Sequence, residues 1–379
     1  MFRKLFLSFL LVCGTSAVAQ TRWVDTPFGQ LPAKVYYATG KHHVQGVAVD
    51  TQNKCIYFSF TTCLVKTDYE GRLLGSVVGL TCHLGCLDLD TETGLLYGSM
   101  EYKNDVIGQG ISGKDAMERP NSFYVGIFDT RQINRIGIPA TDGKVLKGVF
   151  LKEVVDMYEG KTVNKGKECE HIYGCSGIDG VSVGPQFGKQ GGKKVINVAL
   201  GIYGDNHRSD NDYQVLLQYD LAQLSAHAQP FTSFHRSGPT QAKKRYFAFT
   251  GNTTWGVQNM EYDSFTGYWF LGVYKGKKPE YPNYALFAID GKKPARKQVL
   301  QGFDKKEKGL VLTMAEDGLK DPATGIRGWN FRADTGIESL GKGYFYVSES
   351  GKTQEKVQYC NLRLYRWTGN AEKPFEEVR

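Results

Sequence analysis

Apolar and polar residues alternate with a period of two in short stretches along nearly the whole chain. "VQGVAVDTQNKCIYFSF", "HLGCLDLDTETGLLYGSM", "CSGIDGVSVGPQFGKQGGKKVINVAL", "TWGVQNMEYDSFTGYWFLGVY" and "DTGIESLGKGYFYVSES" each pair two such stretches across a turn rich in Asp, Thr, Asn or Gly, the mark of short antiparallel strands. A third strand often follows, as in "CLVKTDYEG", "FYVGIFDT", "VLLQYDL", "YALFAIDG" and "LRLYRWTG". Helical spacing is confined to "LKEVVDMYEG" at 151–160. Strand, turn, strand, strand, repeated, is the order of a β-propeller blade. The clear units start near residues 44, 84, 177, 256 and 336, and the later gaps of 79 to 80 residues exceed one blade of about 40–50. Degenerate blades at 131–170, 222–250 and 295–330 would fill them, so the pattern predicts an all-β, seven-bladed propeller, with five blades as the alternative. No Pro-, Ser- or charge-rich linker divides the chain, which favours one domain over 20–379 against a sandwich with a second domain.

Composition adds compartment and partner. Residues 1–19 run from Arg3 and Lys4 through "LFLSFLLV" to "AVA" before Gln20, the charged, apolar and small-residue order of a secretory signal peptide. The reading is an exported protein, periplasmic or extracellular, starting near Gln20; a lipoprotein attached through Cys13 is the lesser alternative, because Val12 is bulky. No later run reaches the roughly 20 apolar residues of a membrane-spanning helix. Without Arg3 and Lys4 the formal charge falls from +8 to +6. That mild excess, concentrated in "KGKK" and "DKKEKG", suits a polyanionic glycan better than nucleic acid, although a solvated lysine-rich surface explains it as well. Seven cysteines remain after Cys13. In an oxidising compartment "CEHIYGC" suggests a Cys169–Cys175 disulfide, and Cys82, His83 and Cys86 form only a fragment of a zinc pattern.

The first strand of a propeller blade lines the central channel, so the residues at its start surround one end of the axis. His42, His43 and Gln45 precede one such strand. His83, Asp179, Gln258, Asn259 and Glu338 take comparable places in the other units and are expected to converge, with Asp179 and Glu338 as candidate metal ligands. A second polar concentration, "GIYGDNHRSDNDYQ" at 201–214, carries Tyr203, His207 and Arg208. Its Asp205, Asp210 and Asp212 offer oxygen to a structural Ca2+, against the reading of a solvated charged loop.

These residue types suit one reaction. Cleaving a glycan beside a uronic acid by β-elimination needs a cation or Arg at the carboxylate, a base at C5–H and an acid at the leaving oxygen. His43 or His83 would be the base, Tyr203 the acid and Arg208 the carboxylate stabiliser, with His42, Gln45, His207, Gln258 and Asn259 binding substrate. Ordinary glycoside hydrolysis calls for two opposed carboxylates, and no pair stands out in the sequence. Phosphate-loop, Gly-x-Ser-x-Gly and zinc-protease motifs are absent.

With its leader, its blade pattern and "HHVQG" at 42–46, the chain resembles exported bacterial β-propellers of the glycan-degrading group, specifically the α-L-rhamnosidase and rhamnose-glucuronate lyase propellers. The resemblance implies that a histidine at this blade start, or a glutamine in members without hydrolase activity, marks the site; His43 and Gln45 both qualify. It also implies a lyase site built from His, Tyr and Arg, acting on an acidic oligo- or polysaccharide. A propeller that binds a glycan or protein without catalysis, and a lactonase-like propeller with a central cation, are the competing readings.

Overall fold

The alternating stretches fold into strands covered on both faces, because each blade packs between two others. The computed structural model describes residues 21–40, 42–112, 119–189 and 191–379; the leader read at 1–19, Cys13 included, lies outside them. Five sheets surround one axis, and their innermost strands are Gly46–Asp50, His83–Asp90, Cys175–Gly184, Thr253–Asp263 and Ile337–Gly341. Side chains alternate along a strand, so one set packs toward the preceding blade and the other toward the next. That is why Gly46–Asp50 is buried at every position.

The seven-bladed expectation is thereby corrected to five. The segments read as degenerate blades extend existing sheets instead. Ile138–Pro139 joins the first blade in parallel, while Leu146–Phe150 and Gln229–Pro230 widen the second. Lys244–Phe249 is the fourth strand of the third blade, and the hairpin of Arg296–Val299 and Lys308–Val311 reaches back from beyond the fourth blade to extend it. The fourth blade keeps three strands, supplemented by single bridges at Trp329 and Met314. Residues 151–160 form the expected helix, Lys152–Glu159, with Val154, Met157 and Tyr158 buried.

The ring closes through Lys34–Ala38, which pairs with Gln358–Trp367 as an outer strand of the last blade. At the axis the strands approach closely. A Cβ on Gly46 would lie 2.7 Å from Leu87 N and 2.8 Å from Cys86 Cα, and Cys86 Sγ sits 3.3 Å from Val181 O across the next blade.

The cysteines among the described residues are free thiols. Cys169 lies in the outer hairpin of Lys161–Asn164 and Lys167–Glu170, whereas Cys175 is buried at the start of an inner strand. Between them His171 and Tyr173, at φ +67° and +58°, turn the chain, and no Cys169–Cys175 disulfide forms. The zinc fragment separates as well, since Cys86 faces backbone carbonyls of the third and fourth blades.

Candidate functional site

Three inner strands are irregular at the same end of the channel. Register shifts fall between Leu84 and Leu87, between Ile178 and Val181, and on both sides of Val257. Such bulges insert an unpaired residue and re-aim side chains. Asp179 and Gln258 lie inside these irregular segments. Trp255 adopts φ +67°, costly for a bulky residue and found where surrounding structure imposes it.

Together these residues line an open cavity of about 560 Å³. His43 and Gln45 come from the first blade, His83, Glu101 and Lys103 from the second, Ser176 and Asp179 from the third, and Trp255, Gln258 and Tyr274 from the fourth. His83 Nδ1 stands 3.5 Å from Glu101 Oε2 and 3.6 Å from Asp179 Oδ1. Lys103 Nζ donates to Ser176 O at 2.9 Å and lies 2.9 Å from Glu101 Oε2. Each carboxylate is anchored through its other oxygen: Ile178 N donates to Glu101 Oε1 (2.6 Å) and Gln258 Nε2 to Asp179 Oδ2 (3.1 Å).

Burial sets the protonation states. It pushes the His83 imidazole down to about 3, with Lys103 adding to the effect, so the ring is neutral at any ordinary pH. Burial, then the Glu101 charge, drives Asp179 well above the carboxylate range. Glu101 is also raised by burial, against the pull of Lys103. His43 is lowered by burial and by His42, while burial, Asp334 and Asp179 raise the Tyr274 phenol.

The sequence-derived candidates divide. His43, Gln45, His83, Asp179 and Gln258 meet in the cavity, and His42 is close enough to act on His43 electrostatically. Tyr203 stands just outside it, its ring 5.5 Å from that of Trp255 and its hydroxyl donating to Asp105 Oδ2 at 3.3 Å. Asn259 ties the ring instead, donating to Gln45 O and Asp334 O at 2.9 Å each. His207 lies in an exposed loop.

Arg208 is 6% exposed, and its guanidinium grips Asp210 and the carbonyls of Glu170 and His171. These bonds hold the 201–214 loop and leave the guanidinium away from the cavity lining. The loop aspartates do not converge on a cation: Asp210 pairs with Arg208, and Asp212 with Lys278 and Tyr281. Lys278 is 2% exposed, so Lys278→Met strands a buried carboxylate. Urea denaturation is expected to show a loss of about 3–5 kcal/mol; an unchanged midpoint would mean that water solvates Asp212.

Glu338 does not join Asp179. It belongs to a second acidic level further along the channel, where Asp88 Oδ2 accepts from Val183 N (2.7 Å), Glu261 Oε1 from Ser339 N (3.0 Å) and Glu338 Oε1 from Val49 N (3.1 Å). Each carboxyl thus staples its blade to the next. Burial raises Asp88 to about 6 and lifts Glu261 and Glu338 well above the usual range, with mutual repulsion adding to the shift. Between pH 7 and 8.5 unperturbed imidazoles are mostly neutral in the unfolded chain, as His83 is in the folded one. Burial makes Glu261 and Glu338 hold their protons to higher pH in the folded state than in the unfolded chain. The stability they contribute is therefore expected to be lost as pH rises through their folded-state titration. Urea midpoints at pH 7 and 8.5 test this; a midpoint that rises with pH contradicts it.

Glu101, Lys103, Ser176, Trp255 and Tyr274 escaped the sequence reading. "MEYK" held a usable signal: Glu101 and Lys103 are two apart, hence on one strand face, in a segment whose surroundings are apolar.

No family model matches the chain, and no curated protein matches it. Solved structures similar to it include the soluble aldose sugar dehydrogenase of Escherichia coli in its apo-form, 12% identical over 87% of this chain and 99% of that one, with a TM-score of 0.36. A GH43 β-1,3-galactosidase with galactodeoxynojirimycin is 11% identical over 90% and 99%, with a TM-score of 0.45. The Dos1 propeller is 12% identical over 95% and 84%, at 0.31. The class of the protein, a five-bladed β-propeller, rests on its own five sheets. The rhamnosidase and lyase resemblance has no support from sequence matches.

Proposed function

We propose that the channel mouth binds a uronate-containing glycan and cleaves it by β-elimination, with a glucuronate bearing rhamnose as the substrate to test first. The observation that carries this reading is the presence, in one cavity, of an imidazole favoured neutral and a phenol held protonated, His43 and Tyr274. His43 takes the proton from C5. The C5–H electron pair forms the C4=C5 double bond, the bond from C4 to the leaving oxygen breaks, and Tyr274 delivers a proton to that oxygen. Lys352, near enough to depress His43, supplies positive charge for the carboxylate; Arg332, near Tyr274, is paired with Asp334 at 2.8 and 3.0 Å.

Hydrolysis is the weaker reading, because both oxygens of Glu101 are already engaged and Asp179 favours its protonated form, whereas hydrolysis calls for a free carboxylate partner. The leader-like residues 1–19 are consistent with export to where such glycans occur. Incubation with a panel of uronate glycans, followed by ultraviolet absorbance and released sugar, tests the proposal. Absorbance of the unsaturated uronate should rise in step with sugar release; sugar released without that chromophore rules out elimination.

A further inference from the structure

We infer that His83 Nδ1, Glu101 Oε2 and Asp179 Oδ1 form a site for one divalent transition-metal ion, with an open coordination position toward the channel mouth. Among the described residues this is the group of His, Cys, Asp and Glu side chains whose ligand atoms converge, all lying within 4.8 Å of one another. The two His83 contacts, 3.5 and 3.6 Å, are too long for hydrogen bonds. They are close to the roughly 3.3–3.4 Å edge between tetrahedral ligands bonded to zinc at about 2.0–2.1 Å.

Orientation is the second argument. Glu101 Oε1 and Asp179 Oδ2 are tied back by Ile178 N and Gln258 Nε2, and in each carboxylate the remaining oxygen faces the same imidazole nitrogen. Outer partners of this kind orient metal ligands. Buried His83 Nδ1 meanwhile has no hydrogen-bond partner, although such groups are almost always satisfied. An ion supplies what that nitrogen lacks.

Donor chemistry narrows the ion. One imidazole and two carboxylates suit zinc or manganese, whereas calcium takes six to eight oxygens. Three protein ligands and one vacant position are the pattern of a reactive zinc site. The Lys103 ammonium, 2.9 Å from Glu101 Oε2, limits the negative charge of the ligand set and competes for one ligand atom.

The site does not depend on the sugar reading. Where that reading holds, the open position would take the uronate carboxylate, and metal binding is measured with no sugar present so that the two ideas fail separately. Full-length protein is stripped with a chelator and titrated with Co2+ and Zn2+, with calorimetry and the visible absorption of bound Co2+ as readouts. One equivalent should bind, His83→Ala should abolish stoichiometric binding, and Gln258→Ala should weaken it about 10- to 100-fold. Folded wild-type protein that binds neither ion, or a folded His83→Ala variant that binds like wild type, overturns the inference. If His83→Ala fails to fold, Gln258→Ala decides, and unchanged affinity there overturns it equally.

Discussion

His43→Ala is expected to lower kcat on a uronate glycan by about 10²- to 10⁴-fold, the usual contribution of a positioned proton-transfer group. KM should change little, because the imidazole acts on a proton that moves only in the transition state. Burial, reinforced by His42 and Lys352, favours the neutral ring against the opposing pull of Asp334. The base is therefore available at a lower pH than a free imidazole would be. In wild type the acid limb of kcat/KM should lie below the ordinary histidine value of about 6.5, with activity lost as pH falls through it. In His43→Gln that limb should disappear along with the rate. Wild-type turnover by either variant would remove His43 from the reaction.

Deleting the residues through Ala38 should cost the fold most of its stability. Lys34–Ala38 covers the outer edge of Gln358–Trp367 with five paired positions, and its loss uncovers Cys360, Leu362 and Leu364, all buried in the intact ring. Buried Leu31 and Val35 go with it; at about 1.5–3 kcal/mol each they are a large part of the 5–15 kcal/mol typical of a domain. Urea denaturation followed by near-ultraviolet circular dichroism should show a much earlier midpoint or no cooperative transition. An unchanged midpoint would mean that the five blade-to-blade contacts hold the ring without its strap.

Period-two alternation and Gly- and Asp-rich turns were enough to read the all-β class and all five inner strands, since both are local properties. Blade number was not legible. "KRYFAF" and the hairpin over 296–311 read as strands of further blades, yet they pair with sheets already begun, a choice made by long-range pairing. The mouth was half legible for the same reason. His43, Gln45 and His83 stand at strand starts, where polar residues are conspicuous. Asp179 and Gln258 were found, but their aim depends on bulges that alternation cannot reveal, and Tyr274 lies at the far end of a second strand. Arg208 misled because a guanidinium in a polar loop reads as available, whereas the fold gives it four oxygen partners.

The acidic level inside the channel also bears on how the molecule migrates. The formal count of +8 charges every one of its 39 Asp and Glu residues, yet burial keeps Glu261 and Glu338 protonated to higher pH than free carboxyls. Wherever they remain protonated, the native protein carries more positive charge than its composition gives. In that range, on a cation exchanger or in an electric field, it should behave as a more basic protein than its unfolded chain.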